Sequence, residues 1–236
     1  MAKAFKKSTI REYFESIIIA VILALFIRTF VVQAFKIPTG SMEENLLIGD
    51  HLLVNKFVLA PTATGLERAL LPIGAIKRDD VIVFKYPEEP ERDFIKRVIG
   101  LPGDTVELKA KKVYINGTLK AEPFVHFLSA PAGSGIPELN EVTSFDVRER
   151  YGPVTVPPNQ FFVMGDNRDN SQDSRYWGFL PRDLVKGRAV IIYWSYESGR
   201  EDYQDESTGA TIKGLVSVFA HFFTRTRWDR MFHMIH

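Results

Sequence analysis

Three short segments hold residues whose types and spacing could do chemistry. The first is Phe35-Lys36-Ile37-Pro38-Thr39-Gly40-Ser41-Met42. Pro38 and Gly40 impose a turn and admit close backbone approach, which can present the Ser41 hydroxyl. An ordinary Pro-Thr-Gly-Ser turn fits the same residues. The second is Asp93-Phe94-Ile95-Lys96-Arg97-Val98-Ile99-Gly100. In a strand, alternation puts Phe94, Lys96 and Val98 on one face and Ile95, Arg97 and Ile99 on the other. Each face then carries one cation between apolar residues. Arginine keeps its proton in proteins, whereas desolvation lowers the pKa of a lysine, so only Lys96 could become a neutral base. An edge strand with two solvated cations is the competing reading. The third segment, residues 164–178, is dense in Asp, Asn, Ser and Arg. Asp166, Asp169 and Asp173 miss EF-hand spacing, and Arg168 and Arg175 oppose a bound cation. That run reads as a rigid, self-paired loop fixing geometry beside a site.

Other chemistries find little support. There is no G-x-S-x-G elbow, no HExxH and no P-loop. The five histidines are scattered: His51 in an alternating segment, His126 in an apolar loop, and His221, His233 and His236 in the tail. A histidine-dependent serine triad is thus weakly supported. With no cysteine, disulfides, thiolate metal sites and cysteine nucleophiles are excluded. No metal or cofactor is expected. Thirty Lys+Arg against 29 Asp+Glu give a formal charge of +1, so bulk electrostatics give no basis for binding nucleic acid. An apolar fraction of 45% over 236 residues supplies a sizeable core.

The elements that must hold these segments follow from texture. Lys3, Lys6, Lys7 and Arg11 precede a run from Ile17 to Ile27 without a polar side chain, and apolar character continues to Ile37 past Arg28, Thr29, Gln33 and Lys36. As a helix, residues 17–37 would span about 31 Å, close to the hydrocarbon thickness of a bilayer. An uncleaved membrane anchor, a cleaved signal peptide ending at Val32-Gln33-Ala34 and a buried core helix all fit; Arg28, Phe30 and Val31 make a bulky cleavage region, which favours the anchor. The cationic leader sets the N-terminus in the cytoplasm. Beyond residue 37 come short β-branched runs at 51–57, 80–86, 94–99, 105–108, 112–115, 161–164 and 188–196. Pro102-Gly103 and Asn116-Gly117 mark turns, and the absence of interleaved helices points to an antiparallel, β-rich domain. Residues near 60–76 and 121–154 read as insertions or loops, and residues 212–236 as an amphipathic tail.

Taken in order, residues 37–42, 49–57, 96–104 and 165–178 resemble the signature boxes of bacterial type I signal peptidases, the membrane-bound leader peptidases with a serine–lysine dyad. The likeness covers most of the chain outside the two insertions. It implies a mainly β fold: an antiparallel β-sheet catalytic domain at 38–236, one N-terminal transmembrane helix at 16–37 and a cytoplasmic leader at 1–15. It implies Ser41 as nucleophile and Lys96 as general base. The oxyanion hole would use the Ser41 N–H and the Thr39 hydroxyl. Ser171 would hydrogen-bond and aim the Lys96 amine, and Asp173 and Arg175 would form a supporting ion pair. Phe35, Ile37, Met42, Leu46, Phe94 and Ile95 would shape small pockets for the −1 and −3 side chains of an A-x-A site, and the substrate would add as a strand beside Lys96. The implied partners are signal-peptide-bearing preproteins and membrane lipid, with a functional link to the secretion translocon. The implied place is the bacterial inner (plasma) membrane, single-pass, with the catalytic domain on the outer (periplasmic) face.

One departure stands out. After Met42 the family often has a Pro two residues on and then Thr-Leu, whereas here Glu44 and Asn45 precede Leu46. The alternatives are a serine–lysine peptidase processing a narrow substrate, and a non-catalytic, membrane-anchored β module. The tail sequence Arg227-Trp228-Asp229-Arg230 resembles the closing segment of the domain, and its aromatic and basic content also suits lipid headgroups.

Overall fold

The computed structural model describes residues 9–56, 75–127, 147–197, 217–218 and 220–235. Helix α1 (Thr9–Phe26) is followed by a π-helical stretch (Ile27–Val31). No residue of α1 is buried, and Ile17, Ile19 and Ile22 stand exposed. Among the described residues, no helix is long and apolar enough to cross a membrane. α1 carries Arg11, Glu12 and Glu15 in its first half, and its 18 residues span about 27 Å. The helix expected to run to residue 37 therefore stops early. Strand β1 (Val32–Lys36) takes over and pairs in full register with β2 (Asp50–Asn55), from Val32 opposite Asn55 to Lys36 opposite His51. Thr29, Val31 and Val32 are β-branched, and β2 offers a ladder that a helix would forgo.

The remaining strands are β3 (Val81–Lys85), β4 (Asp93–Gly100), β5 (Thr105–Lys109), β6 (Lys112–Ile115), β7 (Thr118–Leu119), β8 (Arg150–Thr155), β9 (Gln160–Met164), β10 (Leu180–Pro181), β11 (Val185–Ser195) and β12 (His233–Met234). One short helix, α2 (Ser174–Trp177), lies between β9 and β10. An eight-stranded sheet runs β1-β2-β11-β3-β4-β9-β10, with β12 on β11, and a four-stranded sheet runs β7-β6-β5-β8. All strand pairs are antiparallel.

β3 shows why the large sheet is doubly covered. Val81 and Val83 enter one apolar cluster with Ile37, Met42, Leu46, Leu52 and Ile95, while Ile82 and Phe84 enter another with Val98, Val163 and Leu180. A strand buried on both faces reads as a continuous apolar run, as Val-Ile-Val-Phe does. A third cluster, with Val106, Val113, Phe162 and Met164, joins the two sheets. The β6–β7 hairpin turns through Asn116 and Gly117, both at positive φ, as an Asn-Gly turn requires.

β8 corrects the sequence reading, which placed residues 150–154 in a loop. Gly152 and Pro153 mask the strand in sequence, but β8 is an edge of the smaller sheet, where proline is tolerated. Most of the expected 60–76 insertion and the middle of the 121–154 one lie outside the described residues.

Candidate active site

The nucleophile candidate sits on a 3₁₀ turn (Gly40–Met42) that follows β1. Ile37 N–H donates to the Asp50 carbonyl at 2.9 Å and Gly49 N–H to the Ile37 carbonyl at 3.1 Å, so β2 holds the entry to the turn. Thr39 is extended (φ −133°, ψ 153°) and exposed, and its hydroxyl makes no cap bond. The first N–H groups of such a turn have no partner within it. Met42, fully buried, pins the other end in the core. From across the molecule Asn167 clamps the turn: its backbone N–H donates to the Ser41 carbonyl at 3.1 Å, and its Nδ2 to the Gly40 carbonyl at 3.3 Å.

Lys96, on β4, reaches this turn. Its Nζ lies 2.7 Å from Ser41 Oγ and 3.1 Å from the Ile95 carbonyl, with the Phe94 ring 5.3 Å away. The residue is 3% exposed. Burial pushes the amine down from 10.5 to about 8; Arg175 acts in the same direction, and Asp173 and Asp166 oppose it. An amine with that pKa is partly neutral near pH 8, so the contact to Ser41 works both ways. The ammonium donates to Oγ, and the free amine accepts the hydroxyl proton.

The polar run at 165–178 folds into the self-bonded loop read from its composition. Asp173, fully buried, accepts from Arg175 Nε and Nη2, both at 2.8 Å, from Gly165 N–H at 3.1 Å and from Ser171 Oγ at 2.7 Å. Arg175 also donates to the Arg168 carbonyl, and Arg168 forks onto Glu122 at 2.6 and 3.0 Å. The Ser171 hydroxyl donates its one proton to Asp173, which leaves its lone pairs as the means by which it would meet the Lys96 amine. Ser171 still flanks the site. A Cβ at Gly165 would fall 2.3 Å from Ser171 Oγ and 2.6 Å from the Ser41 carbonyl oxygen, so only glycine lets these groups meet.

Several contributors escaped the sequence reading. Arg97 is buried and forks onto Asp166, Nε to Oδ1 and Nη2 to Oδ2, both at 2.8 Å, while its guanidinium lies 3.9 Å from the Phe124 ring centroid. Asn45 Nδ2 donates to the same Asp166 carboxylate. Arg230, from the tail, donates to the Asn45 carbonyl at 2.8 Å and to buried Asp50 at 2.7 Å, and Arg227 donates to the Ile48 carbonyl. The available signal was an arginine flanked by apolar residues in an alternating strand, since a buried guanidinium requires a carboxylate.

Of the expected substrate-pocket residues, Ile37, Met42, Leu46 and Ile95 share one buried cluster, and Phe35 packs against it. Phe94 does not join them. It stacks on Tyr86 with ring centroids 4.4 Å apart and packs against the opposite cluster, because residues 94 and 95 of a strand point to opposite faces. Among the described residues, no group of three or more metal-ligating side chains comes together.

A buried amine thus lies against a serine hydroxyl, with a short 3₁₀ turn carrying that serine. The sequence profile of the family described as "Signal peptidase, peptidase S26" matches residues 10–194. The chain belongs to that family. Signal peptidase I of Pseudomonas aeruginosa is 39% identical over 217 residues, covering 83% of this chain and 76% of the relative. Signal peptidase I of Aquifex aeolicus is 35% identical over 228 residues, covering 78% and 84%. Signal peptidase I P of Bacillus subtilis subsp. natto is 34% identical over 197 residues, covering 83% and 95%. This signal peptidase is accordingly a serine peptidase, and Ser41 lies within the matched region.

Proposed function

We propose that this signal peptidase removes N-terminal signal peptides from exported preproteins, cutting after A-x-A-like sites with a Ser41–Lys96 dyad. One observation carries the reading: a fully buried lysine amine, lowered to about 8, lies 2.7 Å from the Ser41 hydroxyl. The neutral amine takes the hydroxyl proton as Ser41 Oγ attacks the scissile carbonyl. The resulting oxyanion is held by the Ser41 N–H and, once a rotamer turns inward, by the Thr39 hydroxyl. The Lys96 ammonium then gives its proton to the departing amine. A water, deprotonated by the same amine, hydrolyses the acyl-enzyme. Asp173, Arg175 and Ser171 hold the loop against the turn and, through Asp173, the charge around Lys96.

The substrate has a place to bind as a strand. β4 pairs with β3 along residues 93–97, but β9 takes its other edge only from Arg97 onward. Residues 93–96 thus offer an open edge to an extended peptide, next to Ile37 and Ile95 for its small −1 and −3 side chains. The N-terminal helix would anchor the enzyme in the inner membrane, leader inside and catalytic domain outside, where lipid and the secretion translocon deliver the preprotein.

The test is cleavage of a preprotein by the purified chain in detergent, beside Ser41→Ala and Lys96→Met. Both variants should lose cleavage while keeping the wild-type circular dichroism spectrum. Near-normal turnover by Lys96→Met refutes the dyad.

A further inference from the structure

Around the Ser41 turn, the acidic side chains are paired, with one exception. Asp166 is bound by Arg97 and Asn45, Asp173 by Arg175, Glu122 by Arg168, Asp50 by Arg230, and Glu44 lies 3.3 Å from His126. Glu43, two residues after the nucleophile, makes no side-chain hydrogen bond or ion pair among the described residues. It is half-buried, and its carboxylate lies over Gly40: a Cβ there would fall 2.5 Å from Glu43 Oε2 and 2.8 Å from Oε1. Glycine at position 40 leaves room for a carboxylate that no cation among the described residues holds.

A second acceptor stands beside the same turn. Asn167 is 2% exposed and donates from its backbone N–H to the Ser41 carbonyl and from its Nδ2 to the Gly40 carbonyl, while its Oδ1 meets no donor among the described residues. Turning the amide over would set oxygen against the Gly40 carbonyl, so the orientation is fixed.

Topology says which part of a substrate meets these groups. A strand added along residues 93–96 cannot continue, because Met164 of β9 already pairs with Arg97. The polypeptide following the scissile bond must leave the sheet past the turn and the 165–171 loop. Glu44, His126 and Asn167 gather there: His126 bridges to Asn167, its N–H donates to the Asp166 carbonyl, and it accepts from Arg168 N–H.

We infer that Glu43, its carboxylate lying over the Gly40–Met42 turn, forms a subsite for the first residues of the mature chain, selecting a cationic side chain and rejecting an acidic one. This rests on the proposed reading, in which the −1 and −3 residues lie along residues 93–96. Glu43 is a specificity residue and not a tuner of the base, since Asp173, Asp166 and Arg175 are the charges that act on Lys96.

The test uses the full chain in detergent and peptides identical except for Lys, Gln or Glu at the second residue after the cut. For the wild type, kcat/KM should favour Lys over Glu on the order of tenfold at low salt, as expected for one partly desolvated charge pair. Roughly 0.5 M salt should shrink that ratio. Glu43→Gln should bring it near one and Glu43→Lys should invert it, each with the acid limb of the pH profile unmoved. An equal ratio in wild type and Glu43→Gln overturns the inference. A parallel arm measures binding of the same peptides to Ser41→Ala and to Ser41→Ala with Glu43→Gln. The Lys preference should be present in the first and absent in the second; a preference shared by both, or absent from both, also overturns it. This arm decides the subsite even should the wild type cleave no peptide, a result that would sink the dyad reading alone.

Discussion

Replacing Lys96 by methionine removes a titrating amine and keeps most of the side chain's volume. Burial takes that amine from 10.5 to about 8, and at 1.36 kcal/mol per unit this costs the fold about 3 kcal/mol. The folded pKa lies below the unfolded one, so between the two values the unfolded chain binds more protons and stability rises with pH. The cost is fully present below about pH 8 and gone above about 10.5. Against it stand the bonds to Ser41 Oγ and the Ile95 carbonyl, which contribute roughly 1–3 kcal/mol together. Lys96→Met should therefore be at least as stable as the wild type in denaturant titrations at pH 7, and any advantage should decline between pH 8 and 10. Peptide cleavage by the variant should fall to background. In the wild type, kcat/KM should climb about fivefold from pH 7 to pH 8 as the neutral fraction rises from about a tenth to a half, then level off above about pH 9. A variant destabilised by more than about 2 kcal/mol at every pH would refute the claim of a costly buried charge. A flat wild-type rate across that range would refute the amine as base.

Thr39→Val should lower kcat on the order of 10²–10³-fold with an unchanged melting temperature; a rate near wild type would remove the hydroxyl from the oxyanion hole. Ser171→Ala should cost no more than about tenfold, because Asp173 keeps its bonds to Gly165 and Arg175 and loses one neutral donor. Gly165→Ala should be worse than Ser171→Ala in single-turnover cleavage, since the new methyl meets the Ser41 carbonyl oxygen at 2.6 Å, and equal rates would count against that close approach. Asp166→Asn leaves the buried Arg97 guanidinium without its counter-charge and should cost about 3–5 kcal/mol in urea unfolding. It also removes a charge that raises the Lys96 pKa, so the acid limb of the remaining activity should move to lower pH.

What sequence could reveal was local. Alternation around Lys96, the continuous apolar run of β3 and the Asn116-Gly117 turn are decided within a few residues, and each reads directly from side-chain period or backbone freedom. The 165–178 loop was legible because its donors and acceptors are near neighbours. β1 was lost because its apolar residues continue the N-terminal run, and only its pairing with β2 distinguishes strand from helix. β8 was lost because proline hides an edge strand. The Arg97–Asp166 pair joins residues 69 positions apart, and nothing in a single sequence says which of many carboxylates closes on a given arginine. Ser171 was placed beside the dyad, but its hydroxyl follows the stronger pull of a buried carboxylate two residues away.

The grip of Arg230 on Asp50 and Asn45 spans up to 185 positions. The loop just after the nucleophile therefore receives a fastening from residues made long after Ser41 and Lys96. A nascent copy still emerging from the ribosome has its Ser41 and Lys96 but lacks the strut that steadies the loop between them. The loop beside Ser41 is thus fully braced only once the stretch that separates it from Arg230 has been made.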